Sequence, residues 1–365
     1  MPGIALQERY VATLTNLPVT ANTVQQDMPR DFIYAAMRLR PSGTLTISAG
    51  TTNGTPSDEN PFTWLRRIYV EGTGGGQSVQ LKNYKGRHAR RAQHGLVGVE
   101  PKSFSPVNSG AVAAYNWYAD VPVDFLLPGA HVLPEVGTQT VLDPREYEKL
   151  TLTMDLGDTT DFVNGGDRTL VLSALSIDVF AVQVLNVVPS RSPMRYIETF
   201  LGRDATSAIV VERQFTFTIP TGKPYRYMMI ATTNEAGNLR QPVDDTIGAV
   251  KLYISQTLLF RFQRFQDIQQ KLRRENIVQD AVNPASLNPL SSTDSWAVGY
   301  YLIDYSRNGR FEGMIDASRF PARGIPILLL HDILTASARQ VELIVGFVTP
   351  GPSAPRSAPT VRRTA

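Results

Sequence analysis

Six short strings recur in the same order in the two halves of this chain, and that recurrence limits what it can fold into. Arg66-Arg67-Ile68-Tyr69-Val70 reads like Val250-Lys251-Leu252-Tyr253-Ile254, and His88-Ala89-Arg90-Arg91 like Lys271-Leu272-Arg273-Arg274. Phe32-Ile33-Tyr34 is answered by Tyr225-Arg226-Tyr227, Trp117 by Trp296, and Asp124-Phe125 by Asp304-Tyr305. Asp143-Pro144-Arg145-Glu146-Tyr147 is answered by Asp316-Ala317-Ser318-Arg319-Phe320, with the offset drifting from about 193 to about 173 along the chain. Each match alone is weak; their common order is the signal. A unit this long far exceeds the ~20–50 residues of a solenoid repeat and has the size of a domain. The sequence therefore predicts a duplicated domain.

The local pattern within each half is that of strands. Lys149-Leu150-Thr151-Leu152-Thr153-Met154 and Gly43-Thr44-Leu45-Thr46-Ile47-Ser48 alternate apolar and polar residues with period two, as half-buried strands do. The run from Leu175 to Val184 is the longest and is expected to be central. In the second half, strands are expected over 214–219, 225–231, 249–254, 257–262, 297–303, 325–330 and 340–347. The 27 glycines and 25 prolines fall between these runs, at uneven spacing. Long and short connections mixed in this way favour Greek-key topologies, which include the jelly roll. Helices are few: 265–274 has helical spacing, 85–94 is a more basic counterpart, and 332–338 is a candidate turn of helix. The boundary is placed in 186–193, where two prolines and two serines interrupt the apolar pattern. This gives a first domain over 1–188, a second over 194–350 and a Pro/Arg-rich tail over 351–365.

No catalytic constellation emerges. Cysteine is absent, which removes disulfides and thiol chemistry. His88 and His94 lack the i, i+4 spacing of a helical metal pair and read as solvated; His131 and His331 have no companion nucleophile. Gly72-Thr73-Gly74-Gly75-Gly76-Gln77-Ser78 lacks the lysine of a phosphate loop and reads as a strand connector. Asp155, Asp158 and Asp161 form a weak calcium candidate of clustered oxygen ligands; otherwise no metal and no cofactor is expected. Asn53-Gly54-Thr55 reads as a turn. The paired acids Asp58-Glu59 and Asp244-Asp245 read as solvated turns. The net charge of +3 is too small to argue for genome binding. The N-terminus lacks the basic-then-apolar pattern of a signal peptide, so synthesis and folding in a cytoplasm are expected.

Taken over Phe32–Ser48, Trp64–Val70 and Leu170–Val184, and again over Tyr225–Ala231, Ala249–Ile254 and Gln340–Phe347, the chain resembles the double jelly-roll major capsid proteins of tailless icosahedral viruses. This is the lineage of membrane-containing bacteriophages and adenoviruses. The resemblance implies an all-β fold of two tandem eight-stranded jelly-roll sandwiches with a few short helices. It also implies a homotrimer forming a pseudo-hexagonal block of the virion shell, often over an internal lipid membrane. Partners would be further copies of the chain, neighbouring trimers, and penton or minor capsid proteins. Inter-subunit contacts are expected at Arg87, Arg90, Arg91, Arg273 and Arg274, and in the tail at Arg356, Arg362 and Arg363. The tail is expected to run extended across a neighbour. Two other readings are a phage spike or glycan-binding double sandwich, which needs exposed aromatic platforms, and a double jelly-roll hydrolase, which needs facing carboxylates.

Overall fold

The computed structural model describes residues 5–57, 59–98, 101–104, 112–127, 140–164, 166–185, 194–206, 215–219, 223–234, 242–243, 246–254, 257–262, 268, 299–305, 315–316, 326–333 and 338–350. The first half opens with β1 (Leu6–Leu14), β2 (Asn22–Asp27), β3 (Tyr34–Ser48) and the short β4 (Thr55–Pro56). A hairpin of β5 (Leu65–Gly74) and β6 (Gln77–Tyr84) leads into helix α1 (Gly86–Val97). Then come β7 (Ser103–Phe104), β8 (Ala113–Ala119), β9 (Val121–Asp124), β10 (Lys149–Leu156), β11 (Val163–Asn164) and β12 (Thr169–Val184). The second half contributes β13 (Met194–Thr206), β14 (Phe215–Thr218), β15 (Pro224–Asn234), β16 (Ile247–Ile254) and β17 (Thr257–Phe262). It ends with β18 (Tyr300–Asp304), β19 (Ile315–Asp316), β20 (Pro326–Ile333) and β21 (Arg339–Pro350).

The strand order is the same in both halves. One sheet of the first half runs β1-β12-β3-β8, and its facing sheet runs β2-β10-β5-β6. The second half repeats them as β13-β21-β15-β18 and β14-β20-β16-β17. With eight principal strands numbered along each half, both give 1-8-3-6 facing 2-7-4-5, which is the jelly roll. The duplication extends to irregularities of the ladders. β12 steps past Ala35 between Tyr34 and Ala36, and β21 steps past Arg226 between Tyr225 and Tyr227. The skipped carbonyls accept the amides of Phe125 and Tyr305 respectively. β1 bulges between Tyr10 and Ala12, and β13 between Phe200 and Gly202. A bulge fixes register because one extra residue reverses the face of everything beyond it. Matching bulges therefore align the halves residue by residue: the echoes at Asp124/Asp304 and Asp143/Asp316 fall on equivalent places, while Tyr34 is equivalent to Tyr225 rather than to Tyr227, with which the echo pairs it. The Tyr69/Tyr253 echo falls on equivalent strands, but the bulges in β5–β6 and β16–β17 set Tyr69 against Lys251, two residues away on the same face. Trp296 lies outside the described residues.

Alternation decides which side chains enter each core. In β10, Leu150, Leu152, Met154 and Leu156 are buried while Lys149, Thr151, Thr153 and Asp155 face outward. The first core gathers around Trp64 and Trp117, whose rings meet edge-on at 5.2 Å, with Phe162 tilted against Trp117 at 4.9 Å. A separate cluster of Phe217, Tyr225, Val250, Leu252, Leu343 and Val345 forms part of the second core. The β5–β6 connection is a two-residue turn with Gly75 and Gly76 at φ 58° and 75°, angles that suit a tight hairpin. The glycine string connects two strands, as its sequence predicts.

Two helical expectations change. Residues 86–97, the basic counterpart, form a full helix, whereas of 265–274 only Ile268 is described, in helical conformation. Residues 332 and 333 continue β20 rather than starting a helix. β13 was not foreseen, because its sequence mixes charged and apolar residues without clean alternation. The proposed linker 186–193 and the tail 351–365 lie outside the described residues.

Trp64→Ala removes a fully buried ring from the first core and is expected to cost about 3–5 kcal/mol, read as a lower urea midpoint. An unchanged midpoint would contradict this account of the core.

Candidate functional site

The two halves share one sheet. β6, the last strand of the first half's β2-β10-β5-β6 sheet, lies parallel to β13, the edge of the second, with Lys82 opposite Glu198 and Asn83 opposite Thr199. The union is a nine-stranded sheet. Only two residue pairs make the ladder, so the junction depends on side chains. Lys82 Nζ donates to Glu198 Oε2 at 2.7 Å with its side chain wholly enclosed. Glu198 Oε1 accepts the hydroxyls of Tyr196 and Tyr227, each at 2.8 Å. Lys82 also sits 4.0 Å above the Tyr196 ring. Burial pulls the Lys82 ammonium below its ordinary range, with Glu198 opposing. Burial, and then the neighbouring Glu198, pushes both tyrosines well above theirs, so they remain donors. Gly346, opposite Glu198, leaves room for this arrangement: a Cβ there would stand 2.3 Å from the Tyr227 ring.

Helix α1 crosses from the first half onto the outer face of the second. Ala92 and Leu96 pack among Tyr227, Met229, Leu302 and Ile344. Its basic side chains converge on two buried carboxylates. Glu342, on β21 and fully enclosed, accepts from Arg87 Nη2 at 2.7 Å, meets His88 Nε2 at 2.9 Å, and pairs with Lys85 Nζ. Glu59 accepts from Arg91 Nε at 3.0 Å and from the Tyr300 hydroxyl at 2.6 Å. Glu342 lies against the first turn of α1, where the helix dipole also favours a negative charge. Burial alone would raise both carboxyls, but the cations win. Arg87, His88 and Lys85 hold Glu342 well below the usual range; Arg91, Arg87 and the Tyr300 hydroxyl hold Glu59 below it. His88 is drawn down to about 4, chiefly by burial and further by Arg87 and Lys85, against the pull of Glu342. Neutral His88 has one N–H, and the Glu342 contact assigns it to Nε2.

Arg87 and Arg91, expected at inter-subunit contacts, are each buried within the chain and bound to a carboxylate. Arg90 is half-buried and stacks over Phe62 at 5.1 Å. Arg273, Arg274, Arg356, Arg362 and Arg363 lie outside the described residues, as do His131 and Asp244-Asp245; the side chain of His331 does too. His88 and His94 are buried rather than solvated, and so is Glu59. Sequence reasoning missed Glu198 and Glu342, since a lone glutamate in a strand ordinarily marks a solvent face, and it read Glu59 as a solvated turn residue. The carboxylates of the calcium candidate have partners within the chain. Arg66 occupies Asp158 and Asp161, with Nη2 at 3.0 and 2.9 Å, while Asp155 takes the Thr23 hydroxyl at 2.7 Å. No metal-ligating cluster occurs among the described residues.

No protein-family model and no curated protein sequence matches this chain. Solved structures do. The STIV MCP crystal structure superposes with a TM-score of 0.66 at 11% identity, over 94% of this chain and 96% of that one. The Faustovirus major capsid protein gives 0.59 at 11% identity, over 96% and 91%. The major capsid protein from bacteriophage PM2 gives 0.54 at 12%, over 95% and 98%. These likenesses establish the fold along almost the whole chain.

A pH titration tests the seam. The unfolded chain protonates His88 near 6.5 and the folded one near 4, so stability present at neutral pH is lost as the pH falls through that window, by on the order of 3 kcal/mol. The depressed Glu59 and Glu342 extend the loss to lower pH. His88→Gln is expected to flatten the upper limb of urea midpoint against pH, and an unchanged profile would refute the assignment. Glu342→Ala, which strands buried cations, is expected to cost about 3–5 kcal/mol.

Proposed function

We propose that this chain is a structural major capsid protein of an icosahedral virus, acting in the virion shell as a homotrimer with a pseudo-six-fold outline. The observation that supports this best is the repeated 1-8-3-6/2-7-4-5 strand order in two halves joined through one sheet. Three such chains supply six similar blocks. The likeness to the capsid proteins named above, over more than nine-tenths of the chain, supports the same reading. Its work is mechanical: to hold two sandwiches at a fixed angle and present edges to neighbouring copies. Neighbouring trimers and minor capsid proteins are its partners in this reading, with contact to an internal lipid membrane at the base of the shell.

The rival readings draw on residues of which several, among those described, are enclosed. A glycan-binding spike needs exposed aromatic platforms, but Trp64 and Trp117 are core side chains. A hydrolase needs an accessible acid–base pair, and Glu59 is enclosed with Arg91 and Tyr300.

Light scattering on the purified protein is expected to give a trimer with no significant monomer at micromolar concentration, and electron microscopy to show hexagonal blocks. A stable monomer would overturn this reading.

A further inference from the structure

The seam between the halves gathers the parts of a condensation reaction. Lys82 and Glu198 face each other across the two-pair ladder of β6 and β13, and Lys82 Nζ lies 2.7 Å from Glu198 Oε2. The lysine side chain is wholly enclosed, and that of Glu198 is only 8% exposed. The Tyr196 ring stands 4.0 Å from the ammonium and the Phe125 ring 5.6 Å from it. An ion pair in such a setting carries the desolvation cost of both charges. A neutral amide made from the same two side chains does not.

The two oxygens of Glu198 have different surroundings. Oε2 meets the amine, whereas Oε1 accepts the hydroxyls of Tyr196 and Tyr227, each at 2.8 Å. Two donors on one oxygen are aimed where negative charge collects when a nucleophile adds to Cδ, as in an oxyanion hole. Glu198 also lines a cavity of about 10 Å³, room for one water molecule. Asp124 lines the same cavity. Its carboxylate takes no side-chain hydrogen bond among the described residues, and burial strengthens its hold on a proton, against Arg38. Nucleophile, oxyanion donors, proton carrier and space for a departing water therefore meet at one junction.

We propose that Lys82 and Glu198 condense into an isopeptide bond that joins the two halves covalently. The proton in their contact moves from Nζ to Oε2, and the freed lone pair adds to Cδ. The carbonyl electron pair shifts to Oε1, under the two tyrosine hydroxyls, and returns as Oε2 departs. Asp124 gives Oε2 its second proton through the cavity and recovers one from Nζ, so Oε2 leaves as water. One ammonium and one carboxylate become one amide and one water, and no oxidant is needed. The product removes two enclosed charges, and the aromatic rings around it keep bulk water from reversing the step. A ladder of only two residue pairs thereby gains a covalent staple.

Intact mass spectrometry tests this. The purified, folded protein is expected to be one water lighter than its sequence mass. Trypsin does not cut after an acylated lysine, so it should yield residues 68–85 branched to residues 196–203. Lys82→Met and Glu198→Ala should each keep the full mass. Asp124→Asn, which has the same shape without the acid proton, should keep it too, and Asp124→Glu should restore the loss. A folded, unsubstituted chain that stays at full mass on prolonged incubation and is cut after Lys82 overturns the proposal, whatever the variants do. A branched peptide joining Lys82 to Asp124 instead overturns the roles given to the two acids, and a bond that still forms in Asp124→Asn overturns the proton relay. The bond lies within one chain, so these outcomes are independent of how copies assemble.

Discussion

A carboxylate enclosed in a β-sandwich has to be met by a cation, because leaving it bare costs several kcal/mol. Glu342 sits fully enclosed on β21, and among the described residues the cations that meet it come from the other half. Lys85 and Arg87 reach it from α1, with neutral His88 donating its N–H, all more than 250 residues earlier in sequence. Glu198 depends in the same way on Lys82 from β6, and Glu59 sends the dependence back by taking the hydroxyl of Tyr300 from the second half. Acid and base are thus split between the halves, so neither sandwich can bury its charges without the other. Apolar packing of α1 supplies much of the contact, but apolar packing tolerates sliding. The paired charges do not, and they fix the angle between the sandwiches.

That angle matters because the chain's two halves are near-copies in backbone while serving different surroundings. The second half's face under α1 never meets water, and it carries Met229, Ala231 and Leu302. The first half's equivalent face does meet water, and it carries arginines with the acids kept in place. Divergence at these few positions lets one backbone design serve a face buried under α1 in the second half and an exposed one in the first. Arginine suits the second task, since it is soluble when exposed yet remains a good residue to bury against aromatic rings and carboxylates.

The fold was legible where periodicity is strict. The alternation of β10 and β3 reads directly as inward and outward faces, and the echo at Asp124/Asp304 marks equivalent strand ends. β13 was illegible because it is shared between two environments: its Tyr196 and Glu198 are buried against another sheet edge, which erases the contrast between faces. The seam itself was misread for one reason. His88, Arg87, Arg91 and Glu59 are residue types that usually face solvent, and what buries them is a partner far away in sequence. The repeat did hold the clue that the basic string of α1 mattered, but not that its first copy would be satisfied internally. Asp158 and Asp161 show the same limit, since Arg66 lies more than 90 residues away.

The nine-stranded sheet raises one last physical point. Edge strands are liabilities, since their unpaired amides and carbonyls recruit other chains. This chain removes one such pair of edges by joining β6 to β13, and leaves β1 and β17 at the ends of their sheets. For a monomeric protein those edges would need blunting by proline or by inward-pointing charge. β1 instead is nine residues long, without proline, and displays Leu6 and Tyr10 beside Glu8 and Arg9. The mixture of apolar and charged side chains permits pairing with one complementary strand and discourages pairing with its own copy, because identical charges would meet. An edge built in this way is selective rather than protected.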